Sequence, residues 1–194
     1  MIARQKGWKD RVQYSLSRTG IFFLFVLLWS LPVTGQGVED IDADMVAAHN
    51  AVRSRLGLPD LVWSEELADY AREWALYLAE EKSCRIEHRP RNGEYARKYG
   101  ENLYWASPVR YSDGRREVQD VRAEAVVADW VGEAKYFDYE ANSCRENRAC
   151  GHYTQVVWRA TERLGCARAV CPDKGQVWVC NYDPGGNRVG QRPY

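Results

Sequence analysis

The chain has 194 residues, 45% hydrophobic and 28% charged, which fits one globular domain and excludes an intrinsically disordered chain. Basic and acidic residues balance at 27 each, but the first 35 residues hold five basic and one acidic, leaving 22 basic and 26 acidic in the remainder. This acidic balance argues against nucleic acid or an anionic membrane surface as the main partner.

The N-terminal segment has the pattern of a secretion signal. An apolar run at residues 21–31 follows a basic stretch. A membrane-spanning helix needs about 20 apolar residues, so this shorter run is typical of a signal-peptide core. We expect residues 1–35 to be a signal peptide and residues 36–194 to be a secreted domain, with an uncleaved anchor as the alternative.

Apolar residues at helical spacing predict three helices in the first two thirds of the domain. Asp44 can cap the first helix, which Gly57 ends. Ser64 can cap the second, which should end near Cys84. The third is predicted to cover about residues 116–131.

The C-terminal third has the composition of β-strands. Residues 153–158, 165–170 and 177–182 are β-branched and aromatic runs of strand length. The turn sequence PDKG at residues 172–175 predicts a hairpin between the last two. Residues 99–105 are either a short strand or a buried turn. Helices first and strands later predict an α+β or layered α/β domain.

All six cysteines lie after the apolar run. An even number in an exported chain of this size predicts three disulfides. Spacing alone does not choose the pairing, although Cys144 and Cys150 are close enough for a local loop. The spacing does not resemble a zinc finger, so a metal site made of cysteines is disfavoured.

Four sequence segments form an ordered set: HNAVR at 49–53, GENL at 100–103, CGHYTQVVWR at 150–159 and CNYDP at 180–184. The set resembles the CAP superfamily of cysteine-rich secretory, antigen 5 and pathogenesis-related proteins, over nearly all of residues 41–194. The last segment and the closing GQRPY look most like plant pathogenesis-related proteins of the first class. Exported bacterial proteins are similar too, so the expected location is extracellular, or periplasmic in a bacterium.

The resemblance implies a three-layer α/β/α sandwich with a central, mostly antiparallel sheet. It also implies a disulfide pairing, of Cys84 with Cys171, Cys144 with Cys150, and Cys166 with Cys180.

The resemblance further implies a cleft lined by His88, Glu101, Glu133 and His152. Imidazoles are common ligands of a divalent ion such as zinc, and carboxylates complete or orient such a shell, so His88 and His152 are the predicted metal ligands. Arg89 stands where the family often has a small residue. A guanidinium there would compete with a cation or favour an anionic ligand.

Three further features have simpler interpretations. His49 is expected to be a hydrogen-bonded helix residue, and Arg53 a solvated or ion-paired one. The aromatic stretch YWASPVRY at residues 104–111 either lines an apolar groove, as the family's sterol and lipid binding would require, or is a packed loop.

The leading hypothesis is an extracellular CAP-type binding protein in defence or host interaction, with a divalent ion or a sterol- or lipid-like molecule as ligand. The sequence has no Gly-x-Ser-x-Gly or His-Glu-x-x-His motif, so no catalytic residue is assigned and binding is favoured over catalysis. A metal-dependent extracellular hydrolase is one alternative. A precursor that releases its C-terminal peptide, as is thought to occur in plant relatives, is another.

Overall fold

The computed structural model describes residues 41–194, so the predicted signal peptide lies outside the described residues. The elements in chain order are α1 (Ile41–Arg55), β1 (Val62–Trp63), α2 (Glu65–Glu80), β2 (Gly100–Ala106), β3 (Val109–Arg110), β4 (Arg116–Glu117), α3 (Ala123–Val131), a 3₁₀ helix (Gly132–Tyr136), β5 (Phe137–Asp138), β6 (Ser143–Cys144), α4 (Gly151–Val156), β7 (Arg163–Val170) and β8 (Gln176–Asp183). None of the helices in this range is long and apolar enough to cross a bilayer.

The central sheet has four strands in the order β1-β7-β8-β2. Strand β1 pairs with β7 in parallel, and the other two pairings are antiparallel. The β7–β8 hairpin predicted from the turn sequence is confirmed. Strand β2 lies at the edge of this sheet, which leaves one of its sides for other elements to cover.

Side-chain alternation along β7 and β8 divides the core into two layers. On one face Leu164 and Trp178 pack with residues of α1, α3 and α4. On the other face Ala167 and Val179 pack with residues of α2. The sheet therefore lies between helices on both sides, and the predicted three-layer, mostly antiparallel sandwich is confirmed.

The second helix is confirmed in position, and the third is shorter than expected. The first helix already includes Ile41, so the prediction that Asp44 caps it is wrong: Asp44 lies in its first turn, where the helix dipole favours an acid. Ser64 caps α2, because its hydroxyl accepts the backbone N–H of Leu67 at 3.5 Å. The third helix begins only at Ala123, and Arg116 lies in strand β4. A turn at Gly114, with φ of +86°, allows β3 to pair with β4. Strand β4 thus takes up the first residues of the predicted helix.

The strand predicted at residues 153–158 is wrong, because most of this segment forms helix α4. Val156 and Val157 are fully buried in the core. The hydroxyl of Thr154 donates to the carbonyl of Cys150 at 3.0 Å, one turn earlier. Tertiary packing thus overrides the strand propensity of its β-branched residues.

The three disulfides join Cys84 to Cys171, Cys144 to Cys150 and Cys166 to Cys180, as the resemblance implied. The first ties the end of α2 to the end of β7, and the third joins paired residues of β7 and β8. Each should stabilise the fold by about 2–4 kcal/mol.

Arg53 is fully buried, so the expectation of a solvated or ion-paired residue is wrong. Its guanidinium donates to four backbone carbonyls at 2.8–3.2 Å, those of Pro59, Val156, Trp158 and Thr161. Burial lowers the pKa of Arg53 to about 10. The side chain therefore fastens α1 to the segment that follows α4.

We expect Arg53→Met to lower the free energy of unfolding by about 3 kcal/mol, because it leaves buried carbonyls without donors. Urea denaturation measures this loss. Arg55→Met on the same helix is the control, since Arg55 is exposed and its change should stay within about 0.5 kcal/mol. Equal losses in the two variants would contradict the role of Arg53.

Candidate functional site

His88 is paired with a buried carboxylate. Its Nδ1 lies 2.7 Å from Oε1 of Glu101, which also accepts the backbone N–H of Arg89 at 3.0 Å. The Glu101 side chain is fully buried, whereas that of His88 is 47% exposed. Because a carboxylate only accepts, Nδ1 carries the proton in this hydrogen bond, and Nε2 is left for a ligand.

His152 forms a second pair of the same kind. Its Nδ1 lies 2.7 Å from Oε1 of Glu133, in the 3₁₀ helix. The other oxygen of Glu133 accepts the backbone N–H groups of His152 at 2.9 Å and Tyr153 at 3.3 Å, so it also caps the start of α4. The imidazole is stacked on Trp130, with 16° between the rings. Its Nε2 is likewise left for a ligand.

The loop that carries His88 is held on both sides. The indole of Trp74 donates to the carbonyl of Glu87 at 2.9 Å. The guanidinium of Arg89 is buried 3.8 Å from the ring centroid of Tyr70 and 2.8 Å from the carboxylate of Glu73. The expectation that this guanidinium competes with a cation beside His88 is therefore wrong, because it is committed to α2.

Strand β2 connects the two pairs. Glu101 and Asn102 are consecutive, so their side chains leave the strand on opposite faces. The amide of Asn102 donates to the carbonyl of His152 at 3.1 Å, and the indole of Trp130 donates to the carbonyl of Leu103 at 3.0 Å. The two pairs thus approach the same edge strand from its two faces.

The structure places each of the two histidines 2.7 Å from one of the two carboxylates, a pairing that the sequence did not predict. Within residues 41–194 it places no group of three or more His, Cys, Asp or Glu side chains where they could hold a metal ion together. The meeting of all four side chains in one cleft stays a prediction.

Sequence reasoning missed the buried polar chain behind His152. His49 donates from Nδ1 to the carbonyl of Met45 at 2.8 Å, and its Nε2 accepts the hydroxyl of Tyr182 at 3.0 Å. That hydroxyl is also hydrogen-bonded to Asn102, and burial raises its pKa well above the usual value. His49 is thus the hydrogen-bonded helix residue that was expected, and it supports the strand that holds His152.

An apolar cavity of about 440 Å³ lies between α1 and α3. Small and branched residues line it, together with Arg55 and Glu124: Ala48, Ala51, Val52, Val127, Ala128, Val131 and Gly132. The aromatic stretch at 104–111 does not line this cavity. The stripe of small residues on α1 was the only signal for it, and such a stripe usually means close helix packing.

A family model of the CAP cysteine-rich secretory proteins matches residues 46–182. The chain belongs to the CAP family. Its curated relatives include pathogenesis-related protein 1C of Nicotiana tabacum, 36% identical over 92% of this chain and 96% of the relative. Pathogenesis-related protein 1 of Arabidopsis thaliana is 38% identical over 88% and 93%. The chain is thus a CAP protein of the defence and host-interaction class, and its disulfides are consistent with an extracellular location.

Solved structures show the same fold. BmVAL-1 has a TM-score of 0.63 and 25% identity, over 84% of this chain and 85% of that chain. Schistosoma mansoni venom allergen-like protein 4 has a TM-score of 0.57 and 25% identity, over 81% and 95%. NaASP2, solved with Zn²⁺, has a TM-score of 0.58 and 24% identity, over 84% and 88%.

The C-terminal tail of this CAP domain is bound to its surface. The backbone N–H of Arg159 donates to the carbonyl of Pro193 at 2.6 Å, and the hydroxyls of Tyr153 and Tyr194 lie 2.9 Å apart. The side chain of Asn142 donates to the carbonyl of Gln191 at 3.1 Å. Release of this segment as a peptide stays a prediction.

The stability of the CAP domain should fall in acid because of His49. Burial, with a smaller contribution from the charge of Arg53, lowers the pKa of His49 to about 4, against 6.5 unperturbed. Between pH 6.5 and pH 4 His49 is protonated in the unfolded chain but not in the folded chain. The free energy of unfolding should therefore fall by about 3 kcal/mol as the pH is lowered to 4. Urea denaturation across this range should show a smaller loss for His49→Gln than for the unmodified protein. Parallel pH profiles would contradict the assignment.

Proposed function

We propose that this CAP protein is a secreted binding protein in which His88 and His152 hold a divalent metal ion such as zinc at the free edge of β2. The observation that carries the proposal is that both imidazoles donate Nδ1–H to a carboxylate at 2.7 Å. Metal-binding histidines commonly have such a partner, which fixes the ring and raises its basicity. Glu101 and Glu133 are therefore assigned as positioning residues rather than as ligands.

The chemistry of these residues fits a zinc ion. Imidazole nitrogen is a preferred zinc ligand, and two imidazoles leave coordination positions for water or for an exogenous ligand. Within the described part of the chain, Oε2 of Glu101 is buried without a hydrogen-bond partner, which leaves one unused acceptor beside the pair. The proposal requires the rings of His88 and His152 to meet around the edge of β2. Zinc is the probe of choice because the similarly folded NaASP2 was solved with it.

Calorimetric titration with zinc should show one ion per chain. His88→Ala or His152→Ala should weaken binding at least about 100-fold, because each removes a ligand. Glu101→Gln or Glu133→Gln should weaken it about 10–100-fold, because the ring loses its charged partner. Glu94→Gln, an exposed change in the loop after His88, is the control and should bind zinc like the unmodified protein.

Two results would refute the metal proposal. One is the absence of saturable zinc binding by the folded protein. The other is binding that survives either histidine substitution, which would place the ion elsewhere.

We further propose that the cavity between α1 and α3 takes a sterol- or lipid-like molecule. Its volume of about 440 Å³ lies in the usual range of small-molecule sites, and its lining is mostly apolar. Arg55 and Glu124 also line the cavity, and their charged groups could form hydrogen bonds with the hydroxyl of a sterol. The apolar body of a sterol would gain free energy from leaving water.

Ala128→Trp should lower the affinity for a fluorescent sterol at least about 10-fold, because the indole fills the cavity. Ala125→Trp is the matched control: the residue is exposed on the same helix and does not line the cavity. Sterol titration followed by fluorescence measures both. Equal affinity in the two variants would show that the sterol binds elsewhere or not at all.

A further inference from the structure

A second pocket, of about 320 Å³, lies where β2 begins and β8 ends. The segment before β2 forms one wall, and the tail after β8 forms another. Three basic side chains line it, those of Arg97, Lys98 and Arg188, together with the single carboxylate of Glu101. Its lining therefore has an excess of positive charge.

The three cations have no carboxylate partner among residues 41–194. Lys98 lies 5.9 Å from the ring centroid of Tyr70, and Nε of Arg188 donates to the carbonyl of Gly185 at 3.3 Å. Both contacts leave the positive charge uncompensated. An unpaired group of like charges is costly unless water or an anion screens it.

The neighbouring carboxylates are mostly engaged with other groups, although Oε2 of Glu101 has no hydrogen-bond partner. Oε1 of Glu101 accepts from His88 and from the backbone of Arg89. Glu66, which binds the hydroxyl of the lining residue Tyr99, also faces Arg163 at 3.7 Å. The same guanidinium forms an ion pair with Asp183. Three basic residues thus share the pocket lining with one carboxylate, which leaves an excess of positive charge there.

The wall before β2 is fixed in place. The hydroxyl of Tyr70 donates to the carbonyl of Ala96 at 2.8 Å and accepts the backbone N–H of Lys98 at 3.1 Å. The backbone N–H of Arg97 donates to the carbonyl of Pro90 at 2.8 Å. Two of the basic residues are therefore presented by backbone that is already ordered, which lowers the entropic cost of binding.

The opposite wall is held against β2 by a buried amide. Oε1 of Gln155 accepts the backbone N–H of Gly186 at 2.9 Å. A Cβ at Gly185 would lie 2.8 Å from the backbone nitrogen of Gly100, so a glycine at 185 allows the tail to approach β2 this closely. The backbone of both walls is thus held by hydrogen bonds, and the side chains of Arg97, Lys98 and Arg188 are exposed to solvent and to a ligand.

We propose that this pocket binds a small oxyanion, the phosphate or sulfate group of a soluble ligand, at Arg97, Lys98 and Arg188. Guanidinium and ammonium groups bind such oxyanions through charge-assisted hydrogen bonds, and three cations lining one pocket suit a group with several acceptor oxygens. Neither His88 nor His152 lines this pocket, although Glu101 does, and it shares no lining residue with the apolar cavity. It adds an anionic group to the chemistry that this protein recognises.

Amide NMR spectra test the proposal during titration with inorganic phosphate or sulfate, with chloride adjusted to keep the ionic strength constant. The amide signals of Gly185 and Gly186 should shift and saturate. A triple variant, Arg97→Gln with Lys98→Gln and Arg188→Gln, should bind at least about 10-fold more weakly. The control, Arg110→Gln with Arg116→Gln, removes two exposed arginines of the β3–β4 hairpin and should bind like the unmodified protein.

Shifts that stay linear with anion concentration, or that are equal in the triple variant and the unmodified protein, would overturn the proposal. Dispersed spectra of each variant confirm that it is folded, so a loss of binding reports on the pocket. Methyl phosphate distinguishes the sources of the anion. If methyl phosphate binds as tightly as inorganic phosphate, the pocket accepts a phosphate ester on a larger ligand. If only inorganic phosphate binds, the pocket is a site for the free ion.

Discussion

Two carboxylate–imidazole hydrogen bonds, from His88 to Glu101 and from His152 to Glu133, fix the orientation of the two imidazoles on which the proposed metal site depends. Each bond places the ring proton on Nδ1 and leaves Nε2 for a ligand. Neither carboxylate lies near its histidine in sequence, so the geometry depends on the fold. Strand β2 supplies Glu101 directly and holds the backbone of His152 through Asn102. The edge position of β2 matters to this site. An interior strand would have a hydrogen-bonded strand on each side, whereas one side of β2 has none and is open to the two pairs.

The rest of the domain keeps these pairs in place through buried polar groups and disulfides. Arg53 fastens α1 to the segment after α4 through four carbonyls. His49 and Tyr182 connect α1 to Asn102 through the core. Buried polar groups cost free energy unless each is hydrogen-bonded. Only an arrangement that supplies all of these partners is stable, so the groups favour one specific packing of the chain. The bridge from Cys84 to Cys171 anchors the loop of His88 close to where it leaves α2.

Local signals in the sequence predicted the elements whose structure is set locally. Ser64 caps α2, and the PDKG turn forms the β7–β8 hairpin. They did not predict α4, whose β-branched residues favour a strand in isolation and become helical through packing and through the cap from Glu133. They also did not predict the burial of Arg53 and Arg89, because a charged side chain is buried only when distant segments supply its partners. The paired site residues came from the resemblance to the CAP family, since no local spacing connects them. The apolar cavity was missed because small residues on α1 and α3 predict close packing as readily as an opening.

The central claim is that two imidazoles share one metal ion around the edge of β2. The most direct measurement is the anomalous difference density of a zinc-loaded crystal, collected above the zinc absorption edge. The proposed function predicts one strong peak about 2.0–2.1 Å from Nε2 of both His88 and His152. A peak bonded to only one of these rings, or to neither, would contradict it.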